Sequence, residues 1–104
     1  MEPSDLFRAL ADPTRRAVFE KLAAGEFNAS ELREGLSVSQ PAISQHLAVL
    51  RSAGLVRERR SGRYVKYSVD PEGLQPLLDW LLRYRAFWPG RVERLKHLLK
   101  EIEQ

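Results

Sequence analysis

Cysteine is absent from the 104-residue chain, which excludes disulfides and thiolate-held metals within it. Histidine occurs twice, at His46 and His97, too far apart in sequence for one copy to assemble a transition-metal site of three or four good ligands. No apolar run approaches the roughly 20 residues that cross a bilayer. The N-terminal MEPSDLF carries acid where a secretory signal would be basic and then apolar. These absences point to the reducing cytoplasm and to no membrane partner. Catalytic signatures are missing too. There is no Gly-rich phosphate loop, nucleophile elbow or paired-carboxylate pattern, and Ser44 and His46, two apart on a helix, diverge. Neither an enzyme nor a cofactor or metal is expected.

A further absence is local. From Ser39 to Leu50 there is no Asp, Glu, Lys or Arg, in a chain that is 30% charged. The opposite holds immediately afterwards. Between Arg51 and Lys66 lie Arg51, Arg57, Arg59, Arg60, Arg63 and Lys66 against Glu58 alone, a local excess of +5. The other eleven basic and thirteen acidic residues sum to −2, so one short stretch accounts for the net charge of +3. Clustered Lys and Arg displace counterions from phosphates, so a polyanion is the natural partner; a solvated charged hairpin is the plainer alternative.

At 43% hydrophobic content the chain suits one globular domain, 1–104, with a core over 4–70 and further helices over 71–104. Ser4 is expected to cap a first helix ending at Ala11. Asp12 and Pro13 open a second that Gly25 stops in a left-handed conformation. Ser30 starts a short third helix, ELREGL, ending near Gly35 and Leu36. After a turn at Ser37 and Val38, Ser39 caps a fourth helix, with Pro41 in its first turn, running to Ala53 and closed by Gly54. Ile43, Leu47 and Leu50 share one narrow sector of this helix, while Pro41, Ser44, Gln45, Ala48 and Ser52 occupy the opposite one. Two helices joined by a short turn make a helix-turn-helix pattern. A β-hairpin follows, with Val56 leading in, Ser61-Gly62 turning, and Val65, Tyr67 and Val69 alternating. The fold class is therefore mainly α with a small β-hairpin: a winged helix-turn-helix of order α1-α2-α3-α4-β1-β2-α5, with a sixth helix if Pro89 and Gly90 break the last segment near Trp88.

Each element has a job on double-stranded DNA. Gln40, Ser44 and Gln45 suit major-groove base edges, since Gln pairs with adenine N6 and N7 and Ser bonds several edges. Ser39 and Thr14, near helix starts, suit phosphates. Arg59, Arg60 and Arg63 at the wing tip suit the minor groove or its phosphates, and Arg51 and Lys66 add backbone contacts. A dimer neutralising about eight phosphates predicts a slope of log affinity against log salt near −7. Arg15 and Arg16, at a helix start that repels cations, are expected to serve structure rather than DNA. Beyond the core, Leu77, Leu78, Leu81 and Leu82 form one apolar band and Val92, Leu95, Leu98, Leu99 and Ile102 another, joined by Trp80, Tyr84, Phe87 and Trp88. That surface is too large to leave wet on a monomer. A homodimer seam through Leu78, Trp80, Leu82, Phe87, Trp88, Leu95 and Leu99 covers it, and places two reading helices about 34 Å apart.

The segments LADPTRRAVFEKL, SVSQPAISQHLAVLRSAGLV and RRSGRYVKYSV resemble the ArsR/SmtB family of small bacterial winged-helix repressors, from about Leu6 to Val69. The resemblance implies a homodimer through the first and last helices, bringing Leu6 and Phe7 into the seam, that represses a promoter until an inducer lowers its DNA affinity. It also implies a role for His46, divided between DNA contact and bracing. The departures lie at the family's metal sites. Asn28 and Ser30 stand where arsenic sensors carry Cys-x-Cys; Asp79 is followed by Leu81, and His97 by Lys100, where zinc and nickel sensors carry further ligands. The chain thus resembles a branch without the metal-site cysteines, and an effector would be a small molecule that no motif identifies. Two rival readings are a winged helix used only for protein–protein contact and a metal-responsive repressor with a site shared between subunits.

Overall fold

Proline opens both of the first two helices, α1 (Pro3–Ala11) and α2 (Pro13–Leu22), in a computed structural model that describes residues 2–87 and 90–103, the side chains of Arg91, Val92 and Glu103 apart. The missing proline N–H costs nothing there, because the first helical amides have no partner within the helix. Asp12 caps α2, its carboxylate accepting from the Arg15 amide at 2.9 Å. Ser4, expected as a cap, lies inside α1 behind Pro3. Gly25 does not supply a left-handed stop. Instead α2 ends in right-handed Ala23, and the amides of Ala24 and Gly25 reach back only three residues, at 3.1 and 3.2 Å.

The third helix, α3 (Ala29–Arg33), begins ahead of Ser30 because Asn28 and Glu31 close a capping box. The Glu31 amide donates to Asn28 Oδ1 and the Asn28 amide to Glu31 Oε1, both at 2.8 Å. Ser39 caps α4 (Gln40–Ser52) by accepting from the Ala42 amide at 3.2 Å, and Gly54, at φ 78°, turns the chain out of it. Strands β1 (Val56–Ser61) and β2 (Tyr64–Val69) pair antiparallel, with Val56 opposite Val69 and Ser61 opposite Tyr64. The loop is therefore Gly62-Arg63, one residue later than the sequence suggested. Only Gly62 (φ 61°) has positive φ, as in a type II′ hairpin turn. Phe27, between α2 and α3, exchanges backbone bonds of 3.0 and 2.8 Å with Tyr67, so the loop clamps the free edge of β2.

Leu6, Val18, Leu22, Leu32, Ile43, Leu47, Leu50 and Leu55 are fully buried and form the centre of the core. Each contributes about 1.5–3 kcal/mol by leaving water. Leu6 is thus a correction: at 0% exposure it has no surface to offer a dimer seam, because α1 turns it inward. Arg15 and Arg16 reach back to the end of α1. The Arg15 guanidinium donates to the carbonyls of Ala9 and Arg8, and Arg16 to that of Leu10 at 3.0 Å, satisfying C-terminal carbonyls that α1 leaves open.

A 3-10 turn (Pro71–Leu74) leads into α5 (Gln75–Leu82), and α6 spans Arg91–Glu103. Helicity is lost earlier than Pro89 implied. After Leu82 the amides of Arg83, Tyr84 and Phe87 bond only three residues back, and Arg85 donates to the Leu82 carbonyl at 3.0 Å. Trp88 and Pro89 themselves lie outside the described residues. Phe7 meets Trp80 edge-on at 5.0 Å, and Trp80 meets Tyr84 edge-on at 5.1 Å, so α1 and α5 dock through edge-to-face aromatics. The C-terminal unit approaches the helix-turn-helix tightly at Gly73, where an added Cβ would fall 1.8 Å from the Gly54 carbonyl oxygen.

Candidate nucleic-acid interface

On α4 the burial of Ile43, Leu47 and Leu50 forces the opposite sector outward, and Gln40, Ser44 and Gln45 are all exposed. Gln40 is not free to swing. Arg33, at the end of α3, donates to the Val38 carbonyl at 3.2 Å and to Gln40 Oε1 at 3.4 Å. Because arginine only donates, the Gln40 amide is turned with its NH2 away from Arg33. The Ser39 oxygen is occupied as a cap acceptor, but its hydroxyl proton remains available to a phosphate. Thr14 is half-buried in the first turn of α2. His46 is half-buried on α4. The Arg15 amide chiefly holds the Asp12 carboxyl below its usual range, and His46 adds to the pull.

The hairpin sorts its side chains by face. Pairing puts Val56, Glu58, Arg60, Val65, Tyr67 and Val69 on one face, and Arg57, Arg59, Ser61, Tyr64, Lys66 and Ser68 on the other. The first face turns to the core and α4: Val56 is buried, Tyr67 and Val69 pack on the core, and Glu58 pairs with Arg51 of α4 at 2.6 Å. On the second face Arg59 and Lys66 stand directly opposite each other, a repulsive arrangement unless countered. Carboxylates from outside the hairpin counter it. Arg59 grips Glu26 with two nitrogens, at 2.5 and 3.1 Å, and Lys66 lies 3.6 Å from Glu31. The hydrogen bond from Arg59 is the main cause holding the Glu26 carboxyl below its ordinary range. For Glu31 the Asn28 amide comes first and Lys66 adds to it.

The ten residues expected to meet DNA therefore divide. Gln40, Ser44 and Gln45 present an uncharged polar surface, and Ser39 stands at its start. Arg60 and Arg63 extend at the hairpin tip with no carboxylate partner among the described residues. Arg51, Arg59 and Lys66 are engaged within the protomer, and His46 is half-buried on α4. Sequence reasoning missed Arg33 and the carboxylates of Glu26 and Glu31. Only the acidic balance outside the basic stretch hinted at the latter.

Apolar surface gathers at the other end. Phe87 and Ile102 are 75% and 77% exposed, and Phe7, Leu81, Tyr84, Leu95 and Leu98 are also exposed. Leu78, Trp80, Leu82 and Leu99 are half-buried. Leu74, Leu78, Leu81, Leu95, Leu99 and Ile102 line a groove of about 270 Å³ between α5 and α6. Among the described residues no cluster of three or more His, Asp or Glu is placed to hold a metal ion, and no helix is long and apolar enough to cross a membrane.

Known proteins share this arrangement. The model of a helix-turn-helix domain matches residues 10–59. The chain is 46% identical over 101 residues to the arsenic resistance transcriptional regulator ArsR2 of Pseudomonas putida, covering 92% of this chain and 88% of that protein. It is 33% identical over 81 residues to the transcriptional repressor SdpR of Bacillus subtilis, covering 78% and 90%. The solved structure of an ArsR-like transcriptional regulator from Rhodococcus sp. RHA1 superposes with a TM-score of 0.72 at 33% identity, covering 91% of this chain and 90% of that one.

Proposed function

The chain belongs to the ArsR/SmtB family of winged helix-turn-helix transcriptional regulators, and from that premise we propose that it is a homodimeric repressor holding a two-fold symmetric DNA operator. In this reading α4 discriminates bases while the hairpin tip supplies attraction. The observation that carries it is the juxtaposition of an exposed, charge-free face on α4 with a hairpin whose tip bears Arg60 and Arg63, uncompensated by carboxylates among the described residues. Amides and hydroxyls read donor and acceptor patterns, whereas guanidinium groups near phosphates raise affinity for every sequence alike. A winged helix used only for protein contact has no need of that division.

The exposed apolar side chains of α5 and α6 support the dimer, since contiguous apolar surface marks an interaction site. Phe7, Leu78, Trp80, Leu82, Phe87, Leu95 and Leu99 are its proposed seam, without Leu6; Trp88 belongs to the same proposal on sequence grounds alone. We place the chain in the cytoplasm, where its DNA is. One relative's name concerns arsenic resistance. This chain has no thiolate to offer a soft ion, with Asn28 capping α3 and Ser30 inside it. Any effector it has is accordingly not held by thiolates, and a small molecule fits that chemistry.

Replacing Gln40 or Gln45 by alanine tests the reading role. Each change is expected to relax preference at its own base position by about 1–3 kcal/mol while leaving the salt dependence unchanged. Competition binding with single-base operator variants makes the measurement. An unaltered preference in both variants would remove α4 from base reading.

A further inference from the structure

Three cations of the basic stretch are tied down by carboxylates, and the ties lie on both faces of the hairpin. On the α4 side, Glu58 of β1 meets Arg51 at 2.6 Å. On the opposite side, Arg59 of β1 crosses over β2 to Glu26, which immediately precedes Phe27, the residue whose backbone clamps the edge of β2. Lys66, beside Arg59, is directed to Glu31 in the capping box of α3. The base of the hairpin is therefore anchored to α4 on one face and to the α2–α3 loop on the other, and only its tip projects.

We propose that Glu26 and Arg59 form a brace that sets the tilt of the hairpin against α4, and that Arg59 does not hold a phosphate when DNA is bound; this rests on the reading of the hairpin tip as a DNA grip. A two-nitrogen grip on one carboxylate fixes orientation as well as distance, which a single contact does not. Moving Arg59 to a phosphate would leave the Glu26 carboxylate uncovered near a polyanion. Arg60 and Arg63 carry no such cost. Glu26 is thus a positioning residue for DNA binding, although it is acidic and lies outside the helix-turn-helix.

Salt titration of binding to a mixed-sequence DNA duplex separates brace from grip, because the slope of log affinity against log salt counts phosphates neutralised, at about 0.9 each. Thermal unfolding first confirms that each variant is folded. Arg59→Ala and Glu26→Gln are each expected to weaken binding about threefold with the slope unchanged, and the double variant to be no weaker than either single one. Arg60→Ala in the same titration is expected to flatten the slope by about 2 per dimer. If Arg59→Ala flattens the slope as Arg60→Ala does, or Glu26→Gln tightens binding, the brace is overturned and the tip reading stands. If Arg60→Ala leaves the slope unchanged, the tip reading falls and takes the brace with it.

Discussion

Replacing Gly73 by alanine is expected to destabilise the protein by about 3 kcal/mol, lowering the melting temperature by roughly 15 °C. The cause is space and not backbone angle. Gly73 has no positive φ, but a Cβ there would lie 1.8 Å from the Gly54 carbonyl oxygen and 3.2 Å from Leu55 Cα. Both neighbours are backbone, so no side chain can swing aside. Gly54 gives the converse case. It sits at φ 78° with open space around its would-be Cβ, so Gly54→Ala carries only the left-handed penalty of about 1–2 kcal/mol. Calorimetry at one protein concentration decides. Gly73→Ala no worse than Gly54→Ala would mean that the joint between α4 and the C-terminal helices is slack. Since that joint links α4 to the helices of the proposed dimer seam, Gly73→Ala should also weaken DNA binding more than its loss of folded protein explains.

The double change Arg60→Ala with Arg63→Ala is expected to reduce DNA affinity on the order of a thousandfold near 0.1 M salt, for specific and mixed sequences alike. In a dimer it removes four cations, so the salt slope should flatten by roughly 3 to 4. Stability should barely change, because both side chains are exposed and neither has an ion-pair partner among the described residues. Fluorescence anisotropy across a potassium chloride series reads affinity and slope together. A loss confined to one sequence, with the slope intact, would make these arginines base readers and reverse the roles given to hairpin and helix.

How much of this could be read from the sequence depended on how local the cause was. Asp12, Ser39 and Gly54 punctuate helices through contacts within a few residues, so the start of α2 and both ends of α4 were legible almost to the residue. The start of α3 went astray because Asn28 and Ser30 are both capable caps. Glu31, three residues after Asn28, breaks the tie through a capping box that the sequence does contain. The end of α5 at Leu82 was hidden, since the apolar spacing runs on through Tyr84 and Phe87 as though the helix continued. Leu6 and Phe7 are adjacent and both apolar, and nothing local tells which one faces the core; packing buries Leu6 and leaves Phe7 against Trp80. The division of the basic stretch into anchored and unanchored cations was beyond reach, because Arg59 finds Glu26 thirty-three residues away. Composition revealed the surplus of positive charge, whereas only the fold reveals where it is cancelled.

The most direct measurement is selection from a pool of random duplex DNA by the protein, followed by sequencing of the bound fraction. Base reading by α4, doubled by a two-fold axis, predicts an enriched inverted repeat whose half-sites are centred about one helical turn apart. Enrichment of a single unrepeated half-site, or retention of DNA with no preferred sequence, would contradict it.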